Sequence, residues 1–264
     1  MDYTRLIKNI VITILGYMGF QFAAFGTISW IYSVQTELVV GFYLASFSGH
    51  CVLMGFLIYM KDQFRLEPSG VLLNHINFAN QLTLFRITSI PTISFLIIVV
   101  RTEPVAIWLL LLTSGAFISD LFDGILSRRT HQVTRIGKYM DSVSDYSALV
   151  IIAIMYVIFR IIPVWFFALL MFRLLLQAFF MLGLLTSQKI DRPETTFLGK
   201  ATIFVTMTLF GIKILEIMNF PGISNPDVMQ WIEYFVGAVV FASIFDKVFI
   251  FSKRVKEPEP PKNT

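Results

Sequence analysis

The chain has 264 residues, of which 56% are hydrophobic and only 14% are charged, and its mean hydropathy is +0.74. A soluble globular domain is about one-quarter charged, so this composition excludes a water-soluble fold and favours an integral membrane protein. The net charge of +4 is best explained by basic loops that face anionic lipid, so no nucleic-acid partner is expected. A single cysteine, Cys51, excludes an intrachain disulfide and a thiolate metal cluster.

Eight apolar segments predict an all-α integral membrane fold of about eight transmembrane helices. The fourth segment is short, and its helix is expected to continue past Ser119 into a polar stretch. The first segment is longer than the core of a signal peptide and predicts an uncleaved span. The segments are Asn9–Tyr32, Leu38–Met60, Leu82–Val100, Val105–Ser119, Tyr139–Phe159, Pro163–Leu185, Ala201–Met218 and Met229–Phe251.

Lysine and arginine residues are distributed unequally between the two sets of loops. Fifteen fall on one side of the predicted membrane, and only Arg101 and Arg160 fall on the other. Because cytoplasmic loops carry an excess of basic residues, both termini are predicted to be cytoplasmic, in a cytoplasmic or inner membrane. The fifteen are Arg5, Lys8, Lys61, Arg65, Arg128, Arg129, Arg135, Lys138, Lys189, Arg192, Lys200, Lys253, Arg254, Lys256 and Lys262.

Four aspartates lie at the predicted cytoplasmic ends of the fourth and fifth spans, in the segment DLFDGILSRRTHQVTRIGKYMDSVSD. Asp120 and Asp123 share a helical face, as do Asp141 and Asp145, because residues three or four apart lie side by side on a helix. The connection between the two helices is short, so the four carboxylates are expected to converge near the membrane surface. Protonation or bound cations would relieve their repulsion, and all-oxygen ligands suit Mg²⁺, Mn²⁺ or Ca²⁺.

Three neighbouring residues suit a phosphate ligand. Gly124 and Gly137 lack side-chain bulk, so phosphates or a neighbouring helix can approach closely, and Arg128 offers a forked donor for phosphate oxygens. These residue types are the components of two-metal phosphoryl chemistry. From the residue types alone, a solvated acidic loop with ordinary helix-end charges is an equally good interpretation.

The spacing of these residues resembles the signature of the CDP-alcohol phosphatidyltransferase family, D-x2-D-G-x2-A-R-x8-G-x3-D-x3-D. Every position matches except that Ser127 stands where alanine is usual. Asn80, Thr83 and Arg86 resemble the N-x-x-T-x-x-R opening of the family's first core helix. Thr134 matches a position that contacts the nucleotide in related enzymes.

The resemblance implies a six-helix core over residues 75–251. A pair of helices and a cytoplasmic loop would precede the core over 1–74, and a disordered cytoplasmic tail would follow it over 252–264. It also implies a homodimer whose active site opens to the cytoplasm. The implied reaction moves a phosphatidyl group from CDP-diacylglycerol to an alcohol acceptor and releases CMP, with the help of two divalent cations, Mg²⁺ or Mn²⁺.

The same resemblance assigns roles to individual residues. Asp145 would be the general base that takes the proton of the acceptor hydroxyl, and Gly137 would allow a close approach between helices. The metals would be bound by Asp120, Asp123, Asp141 and Asp145. The CDP portion would be held by Asn80, Thr83, Gly124, Arg128 and Thr134.

The acceptor pocket is predicted from basic residues in apolar surroundings, where a charge is expensive and usually functional. Arg86 and Arg173 are such residues, although snorkelling toward the interface is the alternative. Arg173 in PVWFFALLMFR and Lys200 in FLGKAT resemble segments of phosphatidylglycerophosphate synthases, which favours glycerol 3-phosphate as the acceptor. Inositol phosphate, serine and other alcohols, including a second lipid, stay open. A membrane prenyltransferase and a non-catalytic transporter are the alternatives of other classes.

Overall fold

The computed structural model describes residues 3–67, 69–129, 133–186, 197–223 and 225–256. Within the helices, the side chains of residues 120, 121, 123–129, 181–186 and 253–256 lie outside this description. The described residues form eight α-helices and one short 3₁₀ turn, Lys61–Gln63. The helices are α1 Thr4–Ile31, α2 Thr36–Tyr59, α3 Phe78–Val99, α4 Ala106–Arg129, α5 Arg135–Ile158, α6 Val164–Thr186, α7 Phe197–Ile217 and α8 Pro226–Lys256.

These helices confirm the predicted all-α integral membrane fold. By length and composition, six of the described helices can cross a membrane, namely α1, α2, α3, α5, α7 and α8. The other two, α4 and α6, contain shorter apolar segments, Ala106–Ser119 and Val164–Phe180. The fourth helix continues to Arg129, as its polar extension past Ser119 predicted.

The last helix extends beyond the predicted apolar span. Helix α8 runs to Lys256, although the sequence prediction ended the helix at Phe251 and began a disordered tail at residue 252. The added residues include Lys253, Arg254 and Lys256. Basic side chains are favourable at a helix C-terminus because they oppose the negative end of the helix dipole. Residues 257–264 of the predicted tail lie outside the described part of the chain.

Two compact units divide the chain, Met1–Met155 and Tyr156–Thr264. In the first unit, α3 packs against α1, α2 and α4, and α1 packs against α2. The predicted core boundary at residue 75 stays a prediction.

Buried polar contacts join α1 to α3 inside the first unit. The amide of Gln21 donates from Nε2 to Ser89 Oγ at 3.0 Å, and its Oε1 accepts from Thr92 Oγ1 at 2.6 Å. All three side chains are buried. Hydrogen bonds between polar side chains hold membrane helices together, because an unsatisfied polar group is costly in a medium without water.

One apolar cluster of the first unit connects several of its helices. It combines side chains from α1, α2, the segment between α2 and α3, α3 itself and the start of α5, each at most 2% exposed. The first two turns of α5 are therefore packed onto residues from the N-terminal third of the chain. The cluster consists of Leu6, Ile10, Ile14, Leu57, Phe64, Ile76, Leu84, Ile136 and Met140.

The second unit is built on α8, which packs against both α6 and α7. A buried ion-pair cluster links α7 to α8: Lys213 Nζ lies 2.8 Å from Glu216 Oε2 and 2.5 Å from Glu233 Oε1. At the start of the unit, the buried Tyr156 hydroxyl donates to the Phe210 carbonyl at 2.9 Å. A buried charge is tolerated only when it is paired, so the lysine and Glu233 constrain the register of α7 on α8.

Candidate functional site

The first half of α5 carries a polar face made of Asp141, Ser144 and Asp145. Residues three and four apart lie on one side of a helix, so the helical backbone aligns these three side chains. The Asp141 side chain is 51% exposed and that of Asp145 is 22% exposed, whereas Ser144 is fully buried. The carboxylates are therefore accessible to a ligand at one edge of a packed helix.

Arg86 of α3 binds this face with three donor–acceptor contacts. Its Nη2 lies 3.0 Å from Asp141 Oδ1 and 3.2 Å from Asp145 Oδ1, and its Nε donates to Ser144 Oγ at 2.5 Å. The Arg86 side chain is 3% exposed, so it does not extend to the membrane surface as the snorkelling alternative would require. The two carboxylates thus converge on one buried positive group, which offsets their mutual repulsion.

A second polar node joins α3 to the first turn of α5. Asn80 Nδ2 donates to Thr134 Oγ1 at 3.0 Å, and Thr134 Oγ1 accepts from the backbone N–H of Gly137 at 3.0 Å. A Cβ at residue 137 would lie 2.5 Å from Asn80 Oδ1 and 2.8 Å from Thr134 Oγ1. A methyl group at position 137 would therefore displace the Asn80 amide and the Thr134 hydroxyl, so glycine lets these two side chains form the node.

The start of α3 is held in place by its own cap. The Asn77 side chain accepts a hydrogen bond from the backbone N–H of Asn80 at 2.9 Å, and the Asn77 backbone is extended, as is typical of an N-cap. One turn later, Thr83 is 3% exposed and its hydroxyl donates to the Ala79 carbonyl at 3.3 Å. Asn80, Thr83 and Arg86 are thus all buried on α3.

The remaining signature residues belong to the C-terminal end of α4, which packs against α3. The helical backbone of this end is described, so the three-residue spacing of Asp120 and Asp123 falls on a helix, as predicted. The side chains of Asp120, Asp123 and Arg128, and the surroundings of Gly124, lie outside the described residues.

An apolar groove of about 410 Å³ runs between α3 and α4. Most of its lining is aromatic or aliphatic, and Phe78, Phe122 and Ile118 are more than half exposed. The groove follows the same two helices that carry the polar signature residues. It is lined by Phe78, Leu82, Phe85, Gly115, Ile118, Ser119 and Phe122.

In the second unit, Arg173 is 1% exposed and lies where α6, α7 and α8 meet. Its Nε is 3.4 Å from Ser243 Oγ, and its Nη2 is 3.5 Å from the Gly199 carbonyl. Lys200, which follows Gly199 in the chain, is exposed. The structure therefore brings Arg173 next to the FLGKAT segment, within the second unit.

Comparison of the chain with protein-family models identifies the family. The model of the CDP-alcohol phosphatidyltransferase family matches residues 76–244, which is well over half of the chain. The chain belongs to this family. The match includes the signature segment, α3, α6, α7 and α8 up to residue 244.

A curated relative gives a second comparison. The CMP-forming cardiolipin synthase of Streptomyces coelicolor is 29% identical to this chain over 141 residues, which is 52% of this chain and 64% of the relative. The chain therefore spans a little under two-thirds of the length of that relative. No solved structure matches the chain.

The donor set is chemically suited to the divalent metals on which this family generally depends. Asp141 and Asp145 already direct one oxygen each at a single positive nitrogen, and carboxylate oxygens are the ligands that Mg²⁺ and Mn²⁺ prefer. Among the described side chains, no group of three or more histidines, cysteines or carboxylates is placed to hold a metal. A complete four-aspartate site would also need Asp120 and Asp123.

Ser144 is a site residue that the sequence reasoning missed. It lies between the two family aspartates of α5 and receives the Arg86 Nε hydrogen bond inside the packed helices. The signal was present, because residue 144 is three positions after Asp141 and shares its helical face. Arg86 was predicted to contact the acceptor, and that role stays a prediction. The Arg86 contacts described above are with Asp141, Ser144 and Asp145 of α5.

Proposed function

We propose that this protein transfers a phosphatidyl group from CDP-diacylglycerol to an alcohol and releases CMP. The observation that carries the proposal is the convergence of Asp141 and Asp145 on Arg86, in a family whose model covers residues 76–244. The apolar groove between α3 and α4 supports a lipid-linked donor, because it offers acyl chains a path along the helices that carry the signature.

In the proposed reaction, the oxygen of the acceptor hydroxyl attacks the phosphorus on the diacylglycerol side of the diphosphate. The bond from that phosphorus to the oxygen of CMP breaks, and CMP leaves. Asp145 accepts the proton of the attacking hydroxyl, so the displacement needs no covalent intermediate with the protein. At 22% exposure, the Asp145 carboxylate is accessible to an incoming hydroxyl while Arg86 and the packing of α5 fix its direction.

Two divalent cations, Mg²⁺ or Mn²⁺, would stabilise the negative charge that develops on the diphosphate oxygens. The residues proposed to hold them are Asp120, Asp123, Asp141 and Asp145. The cytidine and its phosphates would be bound by the Asn80–Thr134 node, with Thr83, Gly124 and Arg128. Gly137 serves this node by letting Asn80 approach Thr134.

Glycerol 3-phosphate is the proposed acceptor, because the buried guanidinium of Arg173 and the neighbouring Lys200 suit a phosphorylated alcohol. A second candidate is a glycerophospholipid acceptor such as phosphatidylglycerol. The relative named as a CMP-forming cardiolipin synthase favours this alternative.

The proposed site opens to the cytoplasm, on the side that carries most of the basic loop residues. The proposed assembly is a homodimer in the bilayer. Light scattering of the detergent-solubilised protein would test the dimer, since a monomer mass would contradict it. Accessibility of single cysteines placed in the loops would test the orientation.

The deciding experiment uses the purified full-length chain in lipid nanodiscs that contain CDP-diacylglycerol. CMP release is measured with glycerol 3-phosphate, phosphatidylglycerol, inositol phosphate or serine, and products are identified by lipid mass spectrometry. We expect CMP and one new phospholipid in stoichiometric amounts, and loss of both when EDTA removes divalent metal. No CMP with any acceptor would contradict the enzyme and favour a non-catalytic cation-binding protein.

A further inference from the structure

The segment before α3 is hydrogen-bonded to the segment that begins α5. The Glu67 N–H donates to the Val133 carbonyl at 2.8 Å, and the Arg135 N–H donates to the Arg65 carbonyl at 3.1 Å. Between them, Leu66 and Thr134 form an antiparallel bridge. Residues 65–67 precede the part of the chain that the family model matches, yet they pair with a residue predicted to contact the nucleotide.

The Glu67 side chain reinforces this backbone pairing. Its Oε1 accepts from Arg135 Nε at 3.2 Å, and its Oε2 pairs with the Lys138 ammonium. Glu67 is 20% exposed, whereas its two basic partners are about half exposed. One carboxylate thus holds the first and fourth residues of α5, which is the whole first turn of that helix.

The first turn of α5 needs such a carboxylate from elsewhere. It has no acidic residue of its own and carries two basic ones, although the N-terminus of a helix favours negative charge. The backbone N–H groups of a first turn have no acceptor within the helix, and here those of Arg135 and Gly137 bond to the Arg65 carbonyl and the Thr134 hydroxyl. The turn therefore depends on the residues that precede it. Glu67 supplies this negative charge from a separate segment. Phe64, three residues earlier, anchors the same segment because it is buried in the apolar cluster with Ile136 and Met140.

The first turn of α5, which Glu67 contacts, lies next to residues of the proposed site. Thr134 directly precedes α5 and bonds to Asn80, Gly137 lies in the first turn, and Asp141 follows about one turn later. Asp141 and Asp145 lie farther along α5 and have a second anchor in Arg86, whereas Thr134 lies directly beside this first turn. A change at Glu67 should therefore disturb the Asn80–Thr134 node, which is proposed to bind the CDP-linked lipid, more than it disturbs Asp141 and Asp145.

We propose that Glu67 is a positioning residue that holds the first turn of α5 in place for binding of the CDP-linked lipid. The inference rests on the proposed function. It makes the segment after α2, outside the family-matched residues, part of the donor site. Glu67 acts through Thr134 and not by touching the substrate.

The test compares Glu67→Gln and Glu67→Lys with Asp62→Asn in the full chain. Asp62 is the matched control, because it is an acid of the same segment whose side chain accepts a hydrogen bond from the Tyr3 hydroxyl instead of contacting α5. We expect Glu67→Lys to raise the KM for the CDP-linked lipid about tenfold, with kcat and the acceptor KM changed less than about threefold. Glu67→Gln should give a smaller rise, and Asp62→Asn none.

Charge reversal separates positioning from general damage. The triple variant Glu67→Lys, Arg135→Glu and Lys138→Glu restores opposite charges across the contact, and its KM for the CDP-linked lipid should return to within about threefold of wild type. An unchanged KM in Glu67→Lys would overturn the inference. So would an equal loss in kcat, or a raised KM that charge reversal leaves raised.

A second measurement does not depend on turnover. Amide hydrogen exchange over residues 134–140 should be faster in Glu67→Lys and return toward the wild-type rate in the triple variant. If the wild-type chain releases no CMP, the proposed function fails, and exchange alone then decides whether Glu67 holds this turn. Unchanged exchange in Glu67→Lys would overturn the positioning role.

Discussion

Two clusters among the described residues have the same charges, one buried cation with two carboxylates. In the first unit, Arg86 contacts Asp141 and Asp145, and in the second unit Lys213 contacts Glu216 and Glu233. Both cations are almost fully buried. The carboxylates differ in exposure, which is 51% and 22% in the first cluster but 34% and 12% in the second.

The surroundings of the clusters differ more than their charges. The arginine cluster lies on α3 and α5 together with the Asn80–Thr134 node, and it has an apolar groove along α3. The lysine cluster links α7 to α8. A buried ion pair is therefore not a functional site by itself, and it becomes a candidate when its carboxylates stay accessible and other ligand-binding groups surround them.

The largest expected effect separates the two clusters by activity. Asp145→Asn should lower turnover at least about 1000-fold, because an amide cannot accept the hydroxyl proton. Nucleotide binding, measured by titration calorimetry with CDP, should be largely preserved. Glu216→Gln is the matched control, since it neutralises a carboxylate of the other cluster, and its turnover should stay near wild type. Near-normal turnover in Asp145→Asn would show that the base assignment is wrong.

The second effect separates the clusters by stability. Lys213→Met leaves Glu233 buried without its cation, which should lower the free energy of unfolding by about 3 kcal/mol. Denaturation in detergent would measure this loss. Turnover per folded molecule should change little. A Lys213→Met protein of normal stability but without activity would mean that the lysine cluster belongs to the reaction.

Position 137 tests the close approach of α3 to α5. Gly137→Ala places a Cβ 2.5 Å from Asn80 Oδ1, so the node must shift at a cost of about 1–3 kcal/mol. We expect kcat/KM for the CDP-linked lipid to fall about tenfold in steady-state assays. Gly211→Ala in α7 is the matched control, because a Cβ there meets no atom within 4 Å. Equal behaviour of the two alanine variants would contradict the packing argument.

The smallest effect concerns the predicted acceptor pocket in the second unit. Arg173→Lys keeps the charge but loses the planar fork that suits a phosphate, so the KM for glycerol 3-phosphate should rise about fivefold. The KM for the CDP-linked lipid should not change. Kinetics with each substrate varied in turn would measure both values. A parallel rise in both constants would remove the acceptor role.

The positions of the helices were predictable because each helix forms from local contacts. Apolar segments located the eight helices of the described residues, although the fourth segment is shorter than a membrane span, and most ends fall within a few residues of the prediction. The exceptions are polar ends. Helix α8 continues to Lys256, and α1 and α5 begin earlier than predicted, at Thr4 and Arg135, because a helix does not stop where its apolar stretch stops.

Part of the site was also predictable from spacing. The shared face of Asp141 and Asp145 follows from a four-residue interval, and the need for glycine at 137 follows from the signature. The partners of Arg86 on α5 lie more than fifty residues away along the chain, so no local pattern identified them. The same holds for Gln21 with Ser89 and Thr92. Lys213 and Glu233 are closer along the chain but lie on different helices, α7 and α8, so helical spacing did not identify that pair either.

The sequence by itself determined that this chain is a membrane protein of the CDP-alcohol phosphatidyltransferase type and which carboxylates share a helix face. The apolar length of the segments indicated the membrane, and the spacing of the signature residues carried the resemblance to the family. The 3.6-residue period of backbone hydrogen bonding put the carboxylates on a shared helix face. Only the tertiary structure decided that Arg86 lies between two aspartates and that Glu67 holds the first turn of α5. Those contacts depend on which helix faces meet, and packing sets this across segments that are distant in the chain.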